Sequence, residues 1–313
     1  MIFRIDHSTF ISWDERKRTR LIWNMVLHHH LIDCAGTDLR NEIMECFSDD
    51  VRRMSQSLFD INDEQRRYLT TIDTSKYRFN QLSLLAGEKS RLLIENGPYE
   101  WPIHKQMALA YKKDRRFGNV SEWICQAIKN HDLYCLHGGG VSTFDALIGM
   151  EEKECYPDGV FAMKHVIVFD RDTESATKYD PNQNTLLNRL CGKKSDQVTE
   201  QDVYTLDQHP YIWHVWYKRA IENYFTDEQY KKCGVDMRNF QYLSSDMAKR
   251  DYYDLGTELK SVGYHKSQMT QIAISMTRED FERGLHTFDI EIGGETCKVS
   301  ELQLLLLKIA RII

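Results

Sequence analysis

The chain has 313 residues, 42% of them hydrophobic, and a formal net charge of −6. This composition is typical of a globular protein and excludes the disordered and collagen-like classes. The acidic balance excludes nucleic-acid binding through overall charge, so any such binding needs a local basic surface. The length predicts two or three structural units.

Neither the amino terminus nor the apolar segments predict a targeting or membrane function. Residues 1–6 lack the basic and then apolar layout of a signal peptide. The segment 302–313 is apolar but shorter than the roughly 20 residues of a membrane helix, and it contains Lys308 and Arg311. The eight cysteines are scattered, without a C-x-x-C pair, which favours free thiols. We therefore expect a cytoplasmic protein without a membrane partner.

The two ends of the chain have the apolar spacing of helices. For residues 1–88 we predict a helical N-terminal region, with helices within 14–30, 37–47 and 51–69. For residues 227–313 we predict a mainly helical C-terminal region, which ends in a strand at 288–292 and an amphipathic helix at 300–312.

Between them, residues 89–226 alternate short apolar runs with helical patterns. The runs predict strands at 91–95, 133–136, 165–169 and 211–217. Strands that alternate with helices predict a parallel sheet with right-handed crossovers. The fold class is therefore α/β, with a parallel sheet flanked by helices.

Acidic residues follow three of these predicted strands. Glu95 ends the first, Asp170 and Asp172 follow the third, and Glu222 comes shortly after the fourth. The carboxyl ends of parallel strands share one edge, so these acids are expected to converge. Strand alternation places Asp170 and Asp172 on one side and Arg171 on the other. Carboxylates without thiol or imidazole partners suit Mg²⁺ or Mn²⁺.

The segments that carry these acids resemble a Toprim domain, in particular that of the overcoming-lysogenization-defect (OLD) nucleases and related phage-defence effectors. The similar segments are 93–97 (LIENG), 168–172 (VFDRD) and 219–224 (RAIENY). The resemblance covers residues 89–226, which it marks as a Toprim-like catalytic domain. Two positions depart from the family pattern. Asn96 stands where the family usually has glycine, and Tyr99 stands where it often has a further acid, with Glu100 one place later.

The resemblance implies both a site and an activity. Glu95, Asp170, Asp172 and Glu222 would be the catalytic residues and the ligands of Mg²⁺ or Mn²⁺. The activity would be metal-dependent cleavage of the phosphodiesters of DNA or RNA. The protein would be a toxic effector of an anti-phage defence system, controlled by a partner ATPase. The sequence does not give the oligomeric state, and a homo-oligomer stays open.

Two other interpretations use the same residues. A haloacid-dehalogenase-like phosphatase also has Asp-x-Asp after an apolar strand, with the first aspartate as nucleophile. Here Thr173 and Glu174 follow the motif instead of the usual small residue and threonine. The other alternative is a non-catalytic interaction subunit that keeps the Toprim fold, and the non-consensus residues after Glu95 keep it open.

Overall fold

The computed structural model describes residues 1–240, 243, 246–283 and 285–313. Its strands are β1 (Ile2–Ile5), β2 (Leu31–Cys34), β3 (Thr71–Asp73), β4 (Ser90–Ile94), β5 (Leu133–His137), β6 (His165–Phe169), β7 (Ile212–Val215), β8 (Thr287–Ile292) and β9 (Glu295–Ser300). Short 3₁₀ helices span Gln56–Phe59, Thr74–Lys76, Pro181–Gln183, Ile221–Tyr224, Arg238–Phe240 and Leu259–Val262.

The α-helices of the described residues are numbered in chain order. They are α1 (His7–Ser12), α2 (Glu15–Leu27), α3 (Thr37–Glu45), α4 (Asp49–Ser55), α5 (Asp63–Tyr68), α6 (Phe79–Gly87), α7 (Gly97–Tyr111), α8 (Gly118–Lys129), α9 (Val141–Glu154), α10 (Val160–Lys164), α11 (Asn184–Cys191), α12 (Glu200–Val203), α13 (Asp227–Lys232), α14 (Met247–Tyr252), α15 (Leu255–Glu258), α16 (Gln268–Ser275), α17 (Arg278–Glu282) and α18 (Glu301–Ala310).

A four-stranded parallel sheet forms the centre of the fold, in the order β5-β4-β6-β7. All five residues of β6 are buried, as the apolar run before Asp170 predicts for a strand covered on both faces. The structure thus confirms the α/β class with a parallel sheet flanked by helices. Each of the four predicted strands is present, with ends that differ from the prediction by no more than two residues.

The expectation of a helical N-terminal region is incomplete. Strands β2, β1 and β3 form a second parallel sheet within residues 1–88. These strands have only three or four residues, too few for a period-2 pattern to stand out from the helical pattern around them. Near the other end of the chain, β8 pairs with β9, a strand that the sequence analysis also missed. The division of the chain at residues 88 and 226 stays a prediction.

The last helix, α18, is anchored in the core through two charged side chains. Glu301 is fully buried and accepts hydrogen bonds from the backbone N–H of Tyr217 at 2.7 Å and the hydroxyl of Tyr224 at 2.6 Å. His214 Nε2 lies 3.2 Å from the same carboxylate. Lys308, also fully buried, donates to the carbonyl oxygen of Trp213 at 2.6 Å. These contacts tie α18 to β7 and to the segment that carries Glu222.

Two further sequence expectations concern membrane-spanning helices and the state of the cysteines. Within the described ranges, no helix is long and apolar enough to cross a membrane. The eight cysteines are free thiols, as their scattered positions predict.

We predict that Glu301→Ala lowers the free energy of unfolding by about 3 kcal/mol or more, because buried donors lose their acceptor. Denaturant titration followed by circular dichroism measures this loss. Glu45→Ala is the matched control, since Glu45 is exposed at the end of α3 and its replacement should change stability by less than about 0.5 kcal/mol. Equal stabilities of the two variants would contradict the anchoring role.

Candidate functional site

The predicted acids gather at the carboxyl edge of the central sheet. In the parallel pairing of β4 with β6, Leu93 is opposite Ile167, so Glu95 comes level with Phe169 and next to Asp170. Strand β7 continues the same parallel edge, and Glu222 follows it on the 3₁₀ helix Ile221–Tyr224.

Main-chain hydrogen bonds hold two of these carboxylates in place. The backbone N–H of Asp170 donates to Glu95 Oε1 at 2.9 Å, which joins the ends of β4 and β6. The backbone N–H of Ile221 donates to Asp170 Oδ1 at 3.1 Å, which joins β6 to the segment of Glu222. One oxygen of each carboxylate is therefore used to fix its position.

Asp172 lies at this edge for a different reason from the one that the sequence suggests. Strand β6 ends at Phe169, and Asp172 has a left-handed backbone with φ of 56°, so strand alternation does not set its direction. Its N–H donates to the carbonyl oxygen of Arg219 at 2.9 Å, and the residue as a whole is exposed although its carboxyl group is desolvated. Arg171 does point away, as predicted. It is fully buried and donates to the Tyr204 hydroxyl at 2.7 Å.

Glu222 is buried, and a glycine makes room for it. A Cβ atom at Gly256, in α15, would lie 3.4 Å from Glu222 Oε1, tighter than most contacts of this kind. A larger residue at position 256 would therefore press on the carboxylate. The C-terminal region thus closes one side of the site that the central sheet builds.

Glycine is also required where β4 leads into α7. A Cβ atom at Gly97 would lie 3.1 Å from the Cβ atom of His137, and the Gly97 N–H donates to His137 Nδ1 at 3.1 Å. The close approach of β5 explains why glycine stands at the start of α7, two residues after Glu95. Gly140, before α9, has φ of 109°, a conformation that side chains disfavour.

The structure adds two charged residues that the site prediction did not include. Glu100, in the first turn of α7, is buried and accepts a hydrogen bond from the Asn96 N–H at 3.0 Å. Lys266 precedes α16, which packs along α7. Gln106, in the second half of α7, donates to the carbonyl oxygen of Met276, just after α16. The two helices therefore run in the same direction, and both begin near the acidic cluster. Lys266 is half-buried there and interacts electrostatically with the acids.

The signals for these two residues differ. Glu100 stands one place after the position where the family often has a further acid, and the first turn of α7 brings it to the acidic cluster. Lys266 stands more than forty residues after Glu222, in no motif, so only the packing of α16 on α7 reveals it.

Burial and mutual repulsion favour the protonated forms of these acids. Desolvation, with the charge of Asp172 adding to it, raises the pKa of Glu95 to about 7. Desolvation and then the charge of Glu95 raise the pKa of Glu100 to about 8. The same causes raise the pKa of Asp170 well above its usual range, and desolvation raises the pKa of Glu222. The edge therefore groups acids whose ionised forms a bound cation would stabilise.

The pKa of Asp172 is raised as well, mainly by desolvation, and Arg219 opposes this shift. Two nearby cations have partners of their own. Arg219 pairs with Asp254 at 3.4 Å, and Lys218 pairs with Asp251 at 2.9 Å. Both side chains therefore already have carboxylate partners outside the four predicted metal ligands.

The donor set fits a divalent cation in chemistry and charge, because hard cations prefer carboxylate oxygens. The coordination geometry is not preformed. Among the residues that the structure describes, no three His, Cys, Asp or Glu side chains are arranged so that they could hold a metal ion. Binding of Mg²⁺ at Glu95, Asp170, Asp172 and Glu222 would require these side chains to turn toward one another.

Comparisons with known proteins give no further guide to the activity. No protein-family model matches the chain, and no curated protein and no solved structure matches it. The resemblance to Toprim nucleases therefore stays a prediction that rests on the three segments around the acids.

We predict that the contribution of Glu100 to stability, in the presence of a chelator, falls as the pH rises from about 5 to about 8. The pKa of Glu100 is about 8 in the folded protein, above its ordinary value, so in this window the folded state holds a proton that the unfolded chain has lost. Glu100→Gln removes this titration and should flatten the curve of unfolding free energy against pH.

Denaturant titrations at several pH values measure both curves, and their difference reports Glu100 together with Asp170, whose pKa the charge of Glu100 raises. Glu154→Gln, at an exposed position of α9, is the matched control and should keep the wild-type slope. If Glu100→Gln also keeps that slope, the acid is not perturbed in the way the structure indicates.

Proposed function

We propose that the chain is a metal-dependent nuclease of the Toprim type that cleaves the phosphodiesters of DNA or RNA. The observation that carries the proposal is the gathering of Glu95, Asp170 and Glu222, with Glu100 beside them, at the carboxyl edge of a parallel sheet. Ligand sites of open α/β sheets lie at this edge. The resemblance of three segments to Toprim nucleases supplies the class of reaction.

Different residues of the chain would bind the metal ion, orient its ligands and contact the substrate. Glu95, Asp170, Asp172 and Glu222 would hold Mg²⁺ or Mn²⁺, which when bound polarises a phosphate and lowers the pKa of water. The Asp170 and Ile221 N–H groups keep the carboxylates of Glu95 and Asp170 oriented. Lys266 is placed to offset charge among these acids and to contact a phosphate oxygen of the substrate.

The biological role follows from the resemblance alone. We propose a toxic effector of an anti-phage defence system that acts in the cytoplasm under the control of a partner ATPase.

A non-catalytic interaction subunit with the same fold is the second candidate. It is favoured by the lack, in the described part of the chain, of side chains already arranged to hold a metal ion. The two candidates differ in one elementary property, which is binding of a divalent cation at the acidic edge.

We predict that the wild-type chain binds Mn²⁺, and that Asp170→Asn weakens this binding at least about tenfold because a charged ligand is lost. The loss of the free-ion electron paramagnetic resonance signal measures binding, and excess Mg²⁺ should compete. Asp196→Asn is the matched control, since Asp196 is exposed and lies outside the site. Equal Mn²⁺ binding by all three proteins would favour the non-catalytic subunit.

We also predict cleavage of DNA or RNA by the wild-type chain with Mg²⁺ or Mn²⁺. Glu95→Gln and Asp170→Asn should each lower the rate at least about 100-fold, because each removes charge that the metal and the transition state need. Gel assays on single- and double-stranded substrates measure this, with Asp196→Asn as the active control. Hydrolysis of small phosphate esters without nuclease activity would favour the phosphatase interpretation.

A further inference from the structure

A cavity of about 150 Å³ lies at the opposite edge of the central sheet from the acids. Its lining includes Ser90 at the start of β4, and Lys164, the residue before β6. His30 comes from the N-terminal sheet region, directly before β2. The cavity therefore lies where the amino ends of two parallel sheets meet, and no residue of the acidic cluster lines it.

Two buried donors in this cavity have unused hydrogen-bonding capacity. Lys164 is 1% exposed, and its Nζ donates to the carbonyl oxygen of Leu85 at 3.2 Å, which uses one of the three donors of an ammonium group. His30 is 4% exposed, and its Nε2 has no hydrogen-bond partner among the described residues. Buried polar groups normally have partners. The Lys164 ammonium therefore lacks acceptors, and His30 Nε2 lacks one in the tautomer that has its proton on this nitrogen.

Two acidic side chains, Asp132 and Glu88, line the cavity. Asp132 Oδ1 lies 2.8 Å from His28 Nδ1, and its Oδ2 lies 3.3 Å from His29 Nδ1, so both oxygens already have histidine partners. Burial lowers the pKa of Lys164 to about 7, and the charges of Asp132 and Glu88 oppose this shift. Among the described residues neither acid forms an ion pair with Lys164, so an anion that entered the cavity would be a direct counterion for it.

The other lining residues indicate what kind of chemical group, besides an anionic one, the cavity can hold. Leu31, Leu69, Trp123 and Ala127 give the cavity an apolar wall. A cavity of about 150 Å³ is large enough for a benzene ring. We propose that this cavity binds a small organic anion with an apolar body, whose anionic group accepts hydrogen bonds from Lys164 and His30. The site is separate from the acidic edge, so a failure of the nuclease proposal would not contradict binding of an anion in this cavity.

Calorimetric titration of the full chain with benzoate tests the proposal, with benzamide as a neutral ligand of nearly the same shape. The wild-type protein should bind benzoate at one site with a Kd of about 1 mM or tighter. Benzamide should bind at least about tenfold more weakly, because the charge-assisted hydrogen bonds are lost. Absence of saturable benzoate binding, or equal binding of both ligands, would overturn the proposal.

Two variants locate the ligand and one controls for the loss of charge. Lys164→Met keeps the length of the side chain and should weaken benzoate binding at least about tenfold. Ala127→Phe adds bulk to the apolar wall of the cavity while keeping Lys164, and should abolish binding. Lys153→Met is the control, since Lys153 is exposed, and should bind like the wild type. Melting curves establish that each variant is folded, and wild-type affinity in folded Lys164→Met or Ala127→Phe would reject this site.

Discussion

The parallel register of β4 and β6 forces carboxylates together, and the rest of the site depends on this constraint. Glu95 and Asp170 end neighbouring strands, so the sheet cannot form without bringing their charges close. The main-chain N–H of Asp170 offsets part of the cost by donating to Glu95. Burial, with repulsion between the acids adding to it, raises their pKa values, so a cation that reaches the edge would stabilise the ionised forms.

The C-terminal region supplies contacts that complete the acidic site at the edge of the central sheet. Helix α16 packs along α7 and brings Lys266 to the acids, while α15 places Gly256 against Glu222. Helix α18 reaches the same segment from the interior, since Glu301 accepts from the Tyr224 hydroxyl, two residues after Glu222. The position of Glu222 is therefore fixed by contacts from distant parts of the chain, which is why its geometry is sensitive to packing far from the sheet edge.

The sequence predicted features that depend on local patterns and missed those that depend on packing. The apolar run before Asp170 is long enough to identify β6, and parallel connection then implies that Glu95 lies nearby. The strands of the N-terminal sheet are too short to leave such a pattern. The left-handed backbone of Asp172 and the approach of Lys266 follow from tertiary contacts with distant segments, on which local spacing carries no information.

Strands β4 and β6 present opposite chemistry at their two ends. Their carboxyl ends carry Glu95 and Asp170, acids whose pKa values are raised by burial and by the charge of neighbouring acids, whereas their amino ends meet a cavity where Lys164 has unused donors and His30 Nε2 lacks a partner among the described residues. The ionised form of each group would be stabilised by an ion of the opposite sign. The short, buried strands of one sheet thus position groups of opposite charge preference at their two ends.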